Sequence, residues 1–371
     1  MYKRQPTYYT SRIYIDFTNT EEESLQFERL VRWIYDKPLH IPPKLGKAPS
    51  YIVEDGTVVK IQTSVTYSRA IEAIKANKSF YVASVSDFFD DILRGLPEFN
   101  PDREADPYDD EVVKFIDAFT PYRNEIINIL EALTKYAPDT SYLEPTKKFL
   151  EGFYPFTVRG EDDLSCREWD WDVHKFLHHE IFLYIIAVLI KREKFKEACN
   201  LINGEYFIKN AHEKAKLKDV SLFRKHLKSL EFRNDRLSQG KNSKRLSIHA
   251  DMLKERCSGI SITFTELMQA DFVLYLSRYI HAEDTDWRMP WFPITLIYVS
   301  YDRSGFEIFI RAETSAGMNN IQTLLNIPNK QPISDLLNRI QNEGAVAPRF
   351  DGFRSISVSE LSNYDKLGTR K

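Results

Sequence analysis

Cysteine is scarce: 371 residues hold three, at positions 166, 199 and 257, with no CxxC pair. That excludes a disulfide framework, removes the usual ligands of a structural zinc site, and fits a reducing cytosol. No sign of charge dominates, since 51 Lys and Arg stand against 54 Asp and Glu, a formal net charge of −3. A globally basic nucleic-acid binder is excluded, though a local patch is not. Long hydrophobic runs are missing as well. The most apolar stretch, Ile181 to Ile190, ends at Lys191, about half of the ~20 residues a bilayer span needs. The opening MYKRQPTYYTSRIYIDF has no apolar core of signal-peptide length. Phosphate loops, nucleophile elbows, zinc signatures, dinucleotide fingerprints and internal repeats are all lacking. The expectation is a soluble cytoplasmic protein with no membrane contact and no cofactor.

What is present is a chain 43% hydrophobic and 28% charged, enough for a sizeable core. At roughly 100–200 residues per domain, its length suggests two or three domains. Residues 13–16 are β-prone, with Ile13 and Ile15 on one side and Tyr14 and Asp16 on the other. Thr20 followed by Glu21, Glu22 and Glu23 reads as a helix start, because the helix dipole favours acids in the first turn. Leu25, Phe27, Leu30, Val31 and Ile34 then recur at helical spacing until Pro38. The proline-rich segment that follows, 38–56, reads as an extended boundary. Residues 63–95 read as two helices, capped by Thr63 or Ser64 and by Ser86. The seven acids of 97–111 read as a solvated loop. One long helix or two joined at Pro121 are expected over 109–136, and another over 143–154.

Residues 169–191 are apolar nearly all round in their C-terminal half, the mark of a central helix. A partner helix is expected to follow after a tight turn, capped by Gly204. Helices over 245–256, 264–281 and 333–342 come next. Residues 294–312 read either as two strands around Asp302-Arg303-Ser304-Gly305 or as a helix pair. The expected fold is mainly α, a multi-helix bundle-like body with a short N-terminal strand and a small β element near 294–312. Its parts are 1–50, 57–210 and 211–371.

The string SRIYIDF…FERLVRWIYDKPL…PPKLGKAPSYI resembles the end of a bacterial TIR or SEFIR domain and its exit linker. On that resemblance Ile13–Asp16 would be the last sheet strand and 21–36 the final helix, with Leu30, Trp33 and Ile34 packed on the sheet. The segments HKFLHHEIFLYIIAVLIKREKFKEA, RLSIHADMLKER and ELMQADFVLYL resemble the helical C-terminal region of bacterial TIR proteins linked to antiphage defence. The resemblance implies NAD cleavage only for a chain that carries a complete TIR domain. The NAD-cleaving glutamate has no counterpart here, since Glu21, Glu22 and Glu23 follow the last strand. The function implied is a regulatory sensor or oligomerisation module. Its expected partners are copies of itself or a TIR-type effector, with a phage-derived or nucleic-acid trigger.

Four candidate chemistries remain. His174 and His178 are four residues apart on one helix face, a spacing that can hold a metal with a further ligand; the alternative is a pair of hydrogen-bonded core histidines. Arg245 and His249 have the composition of the arginine–histidine pair of HEPN ribonucleases, which orients a ribose hydroxyl and protonates the leaving oxygen, but three residues separate them where that family has four to six. Residues 211–256 hold thirteen Lys or Arg against six acids. Arg224, Lys225, Lys228, Arg233, Arg236, Lys244 and Arg245 are the candidates there for nucleic-acid or anion binding; the alternative is a solvated face or a contact with acids 97–111. Finally, Trp287, Trp291 and Phe292 would be an interaction hot spot if exposed and a rigid core corner if buried.

Overall fold

The computed structural model describes residues 23–35, 63–160, 167–209, 214–239, 247–282, 291–299, 305–343, 347–350 and 354–370. Two units divide the chain, Met1–Thr57 and Val58–Lys371. In the first, the described element is helix α1 (Glu23–Ile34), braced by Arg32 on Glu28 at 2.7 Å. The TIR-like strand at 13–16 and the linker at 38–56 lie outside the described residues. The expected packing of Ile34 on a sheet is not seen, since Ile34 is 70% exposed. Phe27, Val31 and Ile34 share one face at helical spacing, and that face is turned outward while Gln26 is buried.

The second unit is mainly helical. Its first part is α2 (Ser64–Lys75), α3 (Tyr81–Gly95), α4 (Tyr108–Ala118), α5 (Thr120–Tyr136) and α6 (Leu143–Phe153). Pro121 in the first turn of α5 separates two helices there, as proline at a helix start does. Thr63 does not cap α2; its hydroxyl donates instead to the buried carboxylate of Glu125. Nor does Ser86 start α3. The helix begins five residues earlier because Tyr81, Val85, Phe88, Phe89 and Ile92 form one buried stripe. The acidic segment is not all loop: Asp109, Asp110 and Glu111 make the first turn of α4, and Asp109 is buried.

Helix α7 (Asp172–Lys191) is the axis of the unit, and α4, α5, α6 and the following α8 (Phe195–Ile202) pack on it. Every residue of α7 except Lys175 and Lys191 is buried. Each of its large apolar side chains contributes about 2 kcal/mol by leaving water. By length and composition α7 could cross a membrane, yet 94% of its apolar window is covered by the protein itself, as in the core helix of a soluble protein. Asn203, not Gly204, caps α8; its amide bonds Cys199 O at 2.9 Å.

Strands β1 (Tyr206–Ile208) and β2 (Lys216–Lys218) pair antiparallel. Then come α9 (Lys228–Ser238), α10 (Ile248–Arg256) and α11 (Phe264–Ile280), which is also packed along α7. A full capping box between Thr263 and Glu266 starts α11. Residues 58–371 form one compact unit, in which α7 packs against both α5 and α11. The β element expected near 294–312 is replaced, among the described residues, by a 3-10 turn (Ile294–Tyr298) and helix α12 (Glu307–Arg311). The reason lies in α11. Thr295 N donates to Asp271 and Ile308 N to Gln269 Oε1, so side chains of α11 take donors that a ladder would need. Helices α13 (Ser315–Leu325) and α14 (Gln331–Glu343), strands β3 (Arg349–Phe350) and β4 (Arg354–Ser355) and helix α15 (Val358–Leu361) close the unit.

Candidate functional site

The chemistry of α7 is crowded into its middle. His174 Nε2 lies 2.9 Å from Leu96 O, and His178 Nε2 lies 3.0 Å from Leu150 O. A carbonyl only accepts, so both rings carry their proton on Nε2. The two histidines are therefore spent on separate backbone carbonyls, and burial pushes both below their ordinary pKa. His178 is further sandwiched by aromatic rings, stacked on Phe153 at 5.1 Å and edge-on to Phe223 at 4.7 Å. The expected metal alternative does not assemble. Among the described residues no three His, Cys, Asp or Glu side chains converge as a metal would need.

Two residues beyond His178, Glu180 is fully buried between two arginines. Arg256 Nε reaches its Oε1 at 2.7 Å and Arg256 Nη2 its Oε2 at 2.9 Å, a bidentate pair. Arg123 Nη1 lies 3.4 Å from Oε1 and also donates to Tyr184 OH at 3.1 Å and Arg256 O at 2.7 Å. Burial alone would raise the Glu180 carboxyl; Arg256 and Arg123 outweigh it and hold the group below the usual range. Nearby Cys257 is pushed up to about 11 by burial, so its thiol stays protonated and unreactive. This cluster ties α5, α7 and α10 together.

His179 belongs to a different environment. It lines a cavity of about 870 Å³ with residues of the segment 219–235, α10, α11 and the 292–297 turn. His179 Nδ1 lies 2.9 Å from Phe223 O, and its ring stacks on Trp291 at 5.7 Å. Its Nε2 is buried without a hydrogen-bond partner. His249, 5.1 Å away ring to ring, also presents a buried, unpartnered Nε2. Both imidazoles are neutral near pH 7. Burial drives His249 far below its ordinary value and His179 to about 4.

The same cavity is bordered by Arg224, Lys225, Arg278 and Arg349. Of its carboxylates, Asp219 pairs with Arg278, and Glu231 pairs with His226 at 2.8 Å. Partly buried Lys225 donates to the Thr157 hydroxyl at 3.1 Å and stands 5.3 Å from the centre of the Tyr154 ring. Burial, with Lys175 and Lys218 close by, lowers its ammonium to about 7. Leu227, Leu230, Ile294 and Ile297 give the cavity an apolar side, where Phe292 meets Phe350 edge-on at 5.2 Å.

Three other candidates of the basic segment, Lys228, Arg233 and Arg236, are engaged within the protein. Arg233 and Arg236 both grip Asp109 and Asp110, Arg236 reaching Asp109 at 2.5 Å. Lys228 meets Glu168 at 2.9 Å. The Arg233 and Arg236 pairs are the contact with acids 97–111 that stood as the alternative to nucleic-acid binding. Lys244, Arg245 and Trp287 lie outside the described residues. Trp291 is fully buried and donates Nε1–H to Asp271 at 2.7 Å, so it is a core corner; Phe292 is half-buried at the cavity. Asp271 also accepts from Thr295 N at 2.9 Å and Thr295 Oγ1 at 2.7 Å, and burial raises its carboxyl to about 6.

No protein-family model, curated protein or solved structure matches the chain. The site therefore rests on its own geometry. Spacing favoured His174 and His178 and overlooked their neighbour His179. The Glu180 cluster did carry a signal: a carboxylate inside an apolar helix demands a buried cationic partner. The cavity carried none, because its walls come from segments as far apart as residues 179 and 350.

Proposed function

We propose that the chain is a helical regulatory module whose cavity takes a small anionic ligand and passes that binding on through association with copies of itself or with an effector. The observation that carries this reading is the cavity. It sets the cationic side chains of Arg224, Lys225 and Arg349 beside an apolar side in a volume of about 870 Å³, room for a small anion with an apolar body. Its walls come from α7, α9, α10, α11 and β3, so a bound ligand would bear on the relative placement of five elements. The likeness of residues 11–50 to the end of a TIR domain supports an effector of that class, and with it a role in bacterial antiviral defence. Arg233, Arg236 and Lys228 already hold carboxylates, which weighs against an open nucleic-acid surface on α9.

The test is a thermal-shift screen of the purified chain against anionic metabolites, with molar mass followed by light scattering. The reading expects one class of anion to raise the melting temperature and change the mass. Replacing Ile297 by Trp, which fills the cavity, should abolish both. A chain that no anion stabilises, with or without that substitution, would overturn it.

A further inference from the structure

We propose that the outer edge of β2 docks an extended acidic peptide, which adds a third strand to the β1–β2 pair by setting acid, apolar and acid residues against Lys216, Leu217 and Lys218. None of these three residues lines the cavity. The hydrogen-bond register exposes the edge. Phe207 sits opposite Leu217, between the pairs Tyr206–Lys218 and Ile208–Lys216. Phe207 N–H does not point at β2; it donates to Glu151 Oε1 of α6 at 2.8 Å. In an antiparallel ladder two opposed residues exchange both of their bonds or neither. Phe207 and Leu217 therefore exchange none, and the N–H and C=O of Leu217 face away from β1. The two edges differ in what covers them. Glu151 and α6 close the edge of β1. At the edge of β2, no hydrogen bond reaches the Leu217 backbone among the described residues, and 214–217 are all exposed. An unpaired donor and acceptor on an exposed strand are the template that a further strand completes.

Side chains decide the occupant. Successive residues of a strand point to opposite faces. Tyr206 and Ile208 are buried on the inner face, while Phe207 and Leu217 make an apolar cross-strand pair on the outer face, 51% and 56% exposed. Lys216 and Lys218, opposite Ile208 and Tyr206, belong to the open margin of the inner face. A strand laid beside β2 brings two of its side chains, two residues apart, next to these lysines and the one between them next to Leu217. Opposed side chains lie about 5 Å apart, so acids at the two flanking places pair with ammonium groups and an apolar residue at the middle covers Leu217. Lys209 and Lys214 extend the charge, and residues 209–218 hold four lysines and one acid. The next carboxylate, Asp219, is taken by Arg278. A second copy of this chain is a poor occupant. Its β2, laid antiparallel on this edge about Leu217, sets Lys216 against Lys218, and like charges opposed across strands repel. An anionic lipid surface matches the lysines but leaves the backbone donor and acceptor unanswered, which a peptide does not.

The experiment is fluorescence anisotropy of a labelled peptide of alternating glutamate and valine, titrated with the intact chain. Its controls are a peptide of the same composition with the glutamates and valines in separate blocks, an alternating lysine–valine peptide, and phosphatidylserine vesicles. The alternating acidic peptide should bind at least about tenfold more tightly than either control peptide. Leu217→Pro removes the outward N–H at a position where an edge strand accepts proline, and should abolish binding with the circular dichroism spectrum unchanged. Lys216→Glu should weaken the acidic peptide at least about tenfold and strengthen the lysine–valine peptide, a reversal that a merely structural role would not give; this variant decides the matter should Leu217→Pro fail to fold. Equal binding of the block peptide, or full binding by Leu217→Pro, would overturn the inference. So would binding of no peptide, which would leave the lysines as guards of an open edge against aggregation, and so would binding of the vesicles alone, which would assign the face to a lipid surface.

Discussion

The sharpest stability prediction concerns Glu180. In the Glu180→Gln variant the carboxylate between Arg123 and Arg256 becomes a neutral amide, while the two guanidinium groups stay buried. Arg256 keeps Asp117 at 3.3 Å and Thr120 Oγ1 at 2.8 Å, but the Asp117 side chain is 46% exposed and compensates poorly. Removing one partner of a buried ion pair costs about 3–5 kcal/mol, and the lost bidentate geometry puts this variant in that range. Replacing all three groups together, as Arg123→Met, Glu180→Leu and Arg256→Met, removes the uncompensated charges as well. That triple variant should recover most of the loss, because apolar replacement of a buried ionic cluster is often neutral or stabilising. Urea unfolding followed by circular dichroism reads both. The pH dependence has a defined sign. The folded pKa of Glu180 lies below its unfolded value, so its contribution is complete above the ordinary glutamate range and is lost as pH falls through the folded value. A single variant that loses less than about 1 kcal/mol, or a triple variant as unstable as the single, would refute the account.

Three further outcomes follow from other sites. Asp271→Asn turns an amide group towards the donors of Trp291 and Thr295 and should cost about 2–4 kcal/mol, read by thermal melting with loss of the near-ultraviolet signal of Trp291. Lys225 is lowered to about 7 by burial and by Lys175 and Lys218, and His178 and His179 beside it are neutral in that range. Anion binding should therefore strengthen as pH falls through 7, and Lys225→Met should flatten that profile in calorimetry; a slope unchanged in the variant would remove Lys225 from the site. Gly317→Ala should destabilise by about 3 kcal/mol, since its Cβ would come 2.1 Å from Arg311 O, a backbone atom that cannot swing aside, and a chemical denaturation midpoint equal to that of the parent would contradict this.

Legibility in the sequence followed how local the cause was. The central helix could be read because apolar residues continue through its length, and α2 to α6 could be read from their periodic stripes. Helix starts were read less well. Thr63 has the chemistry of a cap, but Glu125, sixty-two residues away, claims its hydroxyl. Ser86 lost to a longer apolar stripe. The 294–312 segment is β-prone by composition, yet Asp271 and Gln269 hold backbone donors at its two ends. His174 and His178 looked like a ligand pair because they share a face, and only packing revealed Leu96 O and Leu150 O waiting for each ring.

Composition and periodicity alone settled that this chain is a mainly helical body around one apolar helix, because those features depend on neighbours three and four residues away. Which polar groups meet was decided only in three dimensions. Arg123, Glu180 and Arg256 come from three helices, and the ion pairs of Arg233 and Arg236 depend on α4 lying beside α9. The cavity likewise exists only once residues 179, 249 and 350 are brought together. Burial and orientation, the two quantities that fix a histidine's proton and a carboxylate's charge, are properties of packing and are not encoded at any single position.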